Sequence, residues 1–247
     1  MTALKSFVCG CIAAAALACT TASAANAAAL TGRDRSIIVI ASNTAAGDMQ
    51  ALTKNLETGL ANGLTVNEIK EILIQLYAYT GFPRSLNAIN TFMKVMQSRE
   101  AAGIKDNLGR EPSPVPVGLD KDDYGARIRA KLGGRTEIPQ PSGYQLFAPA
   151  IDEFLKEHLF CDIFIRDNLD AQSRELATIG ALASMSGTEG QLRFHLNAAM
   201  NTGVTADEMA DFIDAIKTEV GNDRADAANS ILQTLLKQRA AKQGSSS

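Results

Sequence analysis

Ser173–Glu208 reads SRELATIGALASMSGTEGQLRFHLNAAMNTGVTADE, and the fold class follows from its punctuation. Two Thr-x-x-(Glu/Gln) boxes, Thr188–Gln191 and Thr205–Glu208, each predict the start of a helix, and Gly203 between them predicts a stop. The helix so bounded carries an apolar stripe of Leu192, Leu196, Ala199 and Met200. His195 lies three residues after Leu192 and four before Ala199, on the same stripe, so its imidazole is expected to face inward.

Working outward, the pattern recurs. Shifted by 140 positions and without gaps, Leu52, Leu56, Gly63, Thr65, Glu68, Gly81, Arg84 and Ala88 fall on Leu192, Leu196, Gly203, Thr205, Glu208, Gly221, Arg224 and Ala228. Caps, core positions and a glycine turn that coincide in one register indicate a tandem repeat. The first copy predicts helices over Arg35–Ala46, Met49–Asn62, Val66–Tyr79 and, from a Pro suited to a first helical turn, Pro83–Met96. The second predicts Ala171–Ser186, Glu189–Thr202, Ala206–Val220 and Asp223–Gln238. A lead-in helix, Ala150–Phe160, is expected to bury Ile151, Phe154, Leu155, His158 and Leu159.

Six of the seven prolines fall between Gly103 and Pro149, which reads as a linker with one short helix near Tyr124–Leu132. The expected organisation is a signal peptide over 1–27, a first repeat over 28–102, the linker over 103–149, a second repeat over 150–240 and a disordered tail over 241–247. The leader has Lys5 in its n-region, a short apolar run from Phe7 to Cys19, and small-x-small sites at Ala22-Ser23-Ala24 and Ala25-Asn26-Ala27. Export to a periplasm or beyond is expected. Lipid attachment at Cys19, after Ala16-Leu17-Ala18, is the alternative. The run is too short and Ala-rich for a membrane span.

With 46% hydrophobic residues, 5% aromatics and no Trp, the composition favours an all-α protein. A formal net charge of −3 gives no footprint for nucleic acid or an anionic membrane. Past the leader only Cys161 remains, so an intrachain disulfide, a CxxC redox pair and a thiolate metal cluster are excluded by count; a small buried residue is the simpler reading. The two histidines have no HxxxH or HxH spacing, and neither metal nor organic cofactor is expected.

The segment RELATIGALASMSGTEGQLRFHLNAAMNTGVTADEMADFI (174–213), its partner from Asp34 to Ile89 and the lead-in EFLKEHLFCDIFIRDNLDAQSREL (153–176) resemble the tandem form of the carboxymuconolactone decarboxylase family, related to alkylhydroperoxidase D. The likeness runs over about Arg33–Met96 and Ile151–Leu236. LRFHL before the Gly-Val-Thr turn and YTGFPRSLNAI (79–89) are its most specific parts. The resemblance implies an all-α, alkylhydroperoxidase D-like fold and a homo-oligomer, with a trimer of two-repeat chains favoured. Peroxidase-type relatives carry a glutamate, a CxxC pair and a histidine. On this chain these fall on Glu175, with a one-position gap, on Thr188 and Gln191, and on His195. With the thiols replaced, the resemblance disfavours peroxidase chemistry and implies a cofactor-independent lyase or isomerase acting on a small carboxylated or carbonyl substrate.

Such chemistry needs a proton donor and acceptor near neutrality and cations for a carboxylate. His195, His158 and Glu175 are the candidate catalytic residues, with His158 placed opposite His195. Arg193, Arg174 and Arg166 are the candidate substrate-binding cations. The first repeat has Asn55 where the second has His195, so an active site would belong mainly to the second. The competing reading is a non-catalytic oligomer holding a small ligand.

Overall fold

The structure, a computed structural model, describes residues 29–244. Their elements are α1 (Gly32–Ala46), α2 (Met49–Ala61), α3 (Val66–Ala101), α4 (Lys121–Leu132), α5 (Tyr144–Phe147), α6 (Pro149–Glu153), a π-helical segment (Phe154–Ile163), α7 (Ala171–Ala183), α8 (Glu189–Asn201), α9 (Ala206–Glu219) and α10 (Asn222–Gly244). The fold is all-α, and no strand occurs among the described residues.

At the centre, α1 packs along α7. Ten consecutive residues of α1, Ser36–Ala45, are buried, so this helix has no solvent face. Its polar side chains turn back on the preceding turn, where Ser42 Oγ donates to Ile38 O at 2.8 Å, Asn43 Nδ2 to Val39 O at 2.9 Å and Thr44 Oγ1 to Ile40 O at 2.8 Å. Each buried donor is thereby satisfied. On α7, Gly180 allows close contact: a Cβ there would lie 2.6 Å from Ile38 O and 3.2 Å from Ile38 Cα, both backbone atoms that cannot swing aside.

Around this pair the duplication appears in the helix bounds. The starts of α2 and α8, and of α3 and α9, are 140 residues apart. Thr65 and Thr205 both close complete capping boxes, with Glu68 and Glu208. The break between the last two helices of each copy is also repeated. Gly81 interrupts α3 at φ 78°, ψ 158°, and Gly221 separates α9 from α10 at φ 124°. Both lie in backbone space that disfavours a side chain. Beyond Gly81, Pro83 opens the second arm of α3, where its missing N–H costs nothing.

Several local expectations are corrected. The box predicted at Thr188 does not form: its hydroxyl donates to Leu182 O at 2.9 Å, and the Glu189 carboxylate accepts from Gly187 N at 3.1 Å. The lead-in is α-helical only to Glu153 and then winds as a π-helix. Ile151 and Phe154 are exposed, His158 is half-exposed, and the buried set moves to Leu159, Phe160, Cys161 and Ile163. An i→i+5 ladder turns successive residues through a smaller angle than the 3.6 period assumed. At the C-terminus α10 runs to Gly244; the rest of the expected tail, 245–247, lies outside the described residues. The leader, with Cys19, lies outside the described residues.

Within 103–149, α4 packs on the π-helical segment, and Leu132, Leu159, Phe160, Ile163 and Ala198 form a second small core. No helix among the described residues is long and apolar enough to cross a membrane.

Gly180→Ala tests the central contact. Helix propensity alone would favour alanine by about 1 kcal/mol, but forcing a methyl against Ile38 backbone costs about 1–3 kcal/mol or more. A lowered urea midpoint with an unchanged slope is the expected outcome.

Candidate functional site

Three helices converge beside the α1–α7 pair. From α7 come Arg174, Glu175 and Thr178; from α8 comes His195; and from the first arm of α3, in the other repeat, come Glu71, Gln75 and Tyr79, one helical turn apart. All are buried except Tyr79, whose ring packs at the core margin with its hydroxyl enclosed.

His195 is 5% exposed and Glu175 fully buried, and His195 Nδ1 lies 2.8 Å from Glu175 Oε2. With a carboxylate as partner, Nδ1 carries the ring proton and Nε2 keeps its lone pair. The imidazole is held edge-on between two aromatic rings, Tyr79 at 5.4 Å and Phe194 at 5.0 Å between centroids. Burial, reinforced by the charge of Glu175, pushes the Tyr79 phenol far above its usual range, so it remains a neutral donor. The Tyr79 hydroxyl lies within hydrogen-bonding reach of Thr178, and Glu175 Oε1 is buried with no hydrogen-bond partner. An acceptor is thus left over beside a positioned imidazole.

Arg174 and Arg166 are committed elsewhere. Arg174 is fully buried and donates to Glu71 Oε1 at 3.0 Å and to Gln75 Oε1 at 2.9 Å. Arg166 Nε bonds both Glu71 oxygens, at 2.8 and 3.0 Å. Gln75 completes the net by donating to Arg174 O and Thr178 Oγ1, each at 2.9 Å. Burial lowers the Arg174 pKa, and the Glu71 charge opposes that shift. Arg174 is thereby enclosed, while Arg166, a third exposed, is held at the edge of the net through Nε alone.

Arg193 points the other way. It is exposed, donates to Gln238 Oε1, and lines a cleft of about 730 Å³ that also includes Phe194. His158, expected opposite His195, instead contacts the Tyr77 hydroxyl and pairs with Asp162 at 3.1 Å, its side chain 47% exposed. Cys161 is buried and free. Gln191 stands one turn and Thr188 two turns before His195, and neither is a thiol.

A profile of the carboxymuconolactone decarboxylase family matches residues 12–92 and 149–234. The chain belongs to this family, as two tandem copies. The first match begins inside the stretch read as a leader. The chain is also similar to 4-carboxymuconolactone decarboxylase of Acinetobacter baylyi, 30% identical over 90 residues, which cover 36% of this chain and 66% of that protein. The chain thus spans just under two thirds of that relative.

Within this tandem carboxymuconolactone decarboxylase-family chain, sequence reasoning did not name Glu71, Gln75 or Tyr79 among the candidate site residues. Their signal was present as polar residues at i, i+4 and i+8, along one face of the first arm of α3. The corresponding place in the first repeat is built differently: Asn55 replaces His195 and donates to Glu219 at 2.8 Å, while Arg35, at the Glu175 position, pairs with Asp214 at the surface. Glu219 occupies the position of Tyr79. Only the second site has an imidazole.

Glu71→Ala would leave the Arg174 charge buried without a counter-ion, an effect worth about 3–5 kcal/mol. Arg166→Ala, at the half-exposed edge of the same net, should cost only about 1 kcal/mol. Chemical denaturation of the two variants separates these values; equal losses would contradict the geometry.

Proposed function

We propose that this protein is an exported, cofactor-independent lyase or isomerase-like enzyme that uses His195 as general acid–base on a small carboxylated or carbonyl substrate. The observation that carries this reading is the buried Glu175–His195 hydrogen bond. Glu175 holds the ring in one tautomer and stabilises the imidazolium that forms when Nε2 takes a proton, as a carboxylate orients a catalytic histidine elsewhere. Tyr79, held neutral, supplies a hydrogen bond to an oxygen that gains charge. In a decarboxylation the electron pair of the breaking C–C bond moves into a conjugated carbonyl as carbon dioxide leaves, the imidazolium gives its proton to carbon, and the ring is reprotonated from water. His158 is not required by this scheme, since its half-exposed side chain pairs with Asp162 and not with His195.

Family membership and the Acinetobacter baylyi relative support 4-carboxymuconolactone as the first substrate to try. The absence of thiols at Thr188 and Gln191 weighs against a peroxidase reaction through a cysteine pair. Export is supported by the leader pattern of Lys5, the apolar run and the small-residue sites.

Oligomerisation has its own support. Phe82, Leu86 and Met93 on the second arm of α3 are 62%, 53% and 54% exposed, whereas the equivalent α10 positions are Asn222, Asp226 and Gln233. An apolar stripe present in one repeat and replaced by polar residues in the other fits a self-association surface better than general surface composition.

Carbon dioxide release from 4-carboxymuconolactone should fall by about 10²–10⁴ in His195→Gln, the range for loss of a general acid–base, with the fold retained by circular dichroism. Unchanged turnover would overturn the assignment. Light scattering should give three chains per particle for the wild type and a single chain for Leu86→Glu; a monomeric wild type would contradict the oligomer.

A further inference from the structure

The 730 Å³ cleft is separate from the Glu175–His195 pair, and its charge is unusual for this chain. It lies where the C-terminal end of α4 and the segment after it, residues 133–145, meet α8 and α10. Arg129, Arg135, Arg193, Arg239 and Lys242 line it, and no Asp or Glu is among the lining residues. A protein of net charge −3 has thus gathered five cations around one hollow and kept carboxylates out of it.

The partners of these cations sharpen the point. Arg129 is neutralised by Asp152 at 2.6 Å. Arg239 is instead gripped by two amide oxygens, Asn197 Oδ1 at 2.6 Å and Asn201 Oδ1 at 2.9 Å. Asn201 is oriented for this role because its own Nδ2 donates to Leu132 O at 2.8 Å, at the end of α4. Arg193 is held by the neutral side chain of Gln238. Arg135 is exposed, and among the described residues neither it, Arg193 nor Arg239 forms an ion pair. Amide oxygens fix a guanidinium in space without cancelling its charge; Arg239 is held through Nη1 and Arg193 through Nη2, which leaves their remaining N–H groups to meet an anion. Gly190, in the first turn of α8, brings the positive end of a helix to the same wall. Phe194 and Leu235 add an apolar surface, and the volume lies in the range of small-molecule sites.

We propose that this cleft binds a small organic anion carrying two or more carboxylates, with Arg239 and Arg193 on one side, Arg135 on the other, and the carbon skeleton against Phe194. The site stands on its own residues and does not depend on the chemistry assigned to His195.

Isothermal titration of the full chain with tricarballylate and, separately, inorganic phosphate at low ionic strength tests the site. Saturable one-to-one binding of tricarballylate is expected, weakened about ten-fold by loss of one charge-assisted contact in either Arg193→Gln or Arg135→Gln. Added salt should weaken it further. Arg239→Gln should also weaken it, but Arg239 braces α8 against α10, so Arg135→Gln is the variant free of a structural role. Lys54→Gln, exposed elsewhere, and His195→Gln should leave affinity unchanged. No saturable heat at millimolar tricarballylate, or full affinity retained in both Arg135→Gln and Arg193→Gln, would overturn the site. Phosphate binding as tightly as tricarballylate would overturn the polycarboxylate assignment.

Discussion

The backbone contact between α1 and α7 at Ile38 and Gly180 sets the position of everything that has chemistry in it. Because the two central helices touch at this distance, the first arm of α3 is brought against α7, and α9 against α1. Each repeat therefore completes the polar site of the other: α3 supplies Tyr79 next to His195, and α9 supplies Glu219 next to Asn55. The duplication is part of the site and not only of the scaffold. A single copy would lack the opposing helix unless a second chain provided it.

Two buried carboxylates in this region have different work. Glu71 compensates Arg174 and Arg166, whose charges would otherwise be costly to bury. Glu175 has no arginine partner and is left to the imidazole. With Tyr79 held neutral by burial and by Glu175, the histidine is the group beside it that can both take and give a proton. The first repeat lacks that property, since an amide facing Glu219 exchanges no proton. The ring of Phe194 lies between His195 and the cationic cleft and contacts both.

What the sequence revealed was governed by local rules. Thr65 and Thr205 cap helices through residues three positions away, and Gly81 and Gly221 break them by their own backbone preference, so both repeats and most helix starts were legible. The inward face of His195 followed from the spacing of Leu192, Leu196 and Ala199. Thr188 misled because its hydroxyl donates back to Leu182 O and does not accept from the amides ahead of it. His158 misled because an α-helical period was applied to a segment that winds as a π-helix. The contacts of Arg174 with Glu71 and Gln75 span about a hundred residues. Nothing in local spacing specifies them, and so the two arginines were taken for available cations.

Glu175 fixes His195 with its proton on Nδ1 and its lone pair on Nε2. The ring-nitrogen chemical shifts of His195 in ¹⁵N-labelled protein, recorded above the titration of the ring, measure this directly. The structure predicts a pyrrole-type shift at Nδ1 and a pyridine-type shift at Nε2, with both averaging toward each other in Glu175→Gln. A wild-type ring protonated on Nε2 would contradict it.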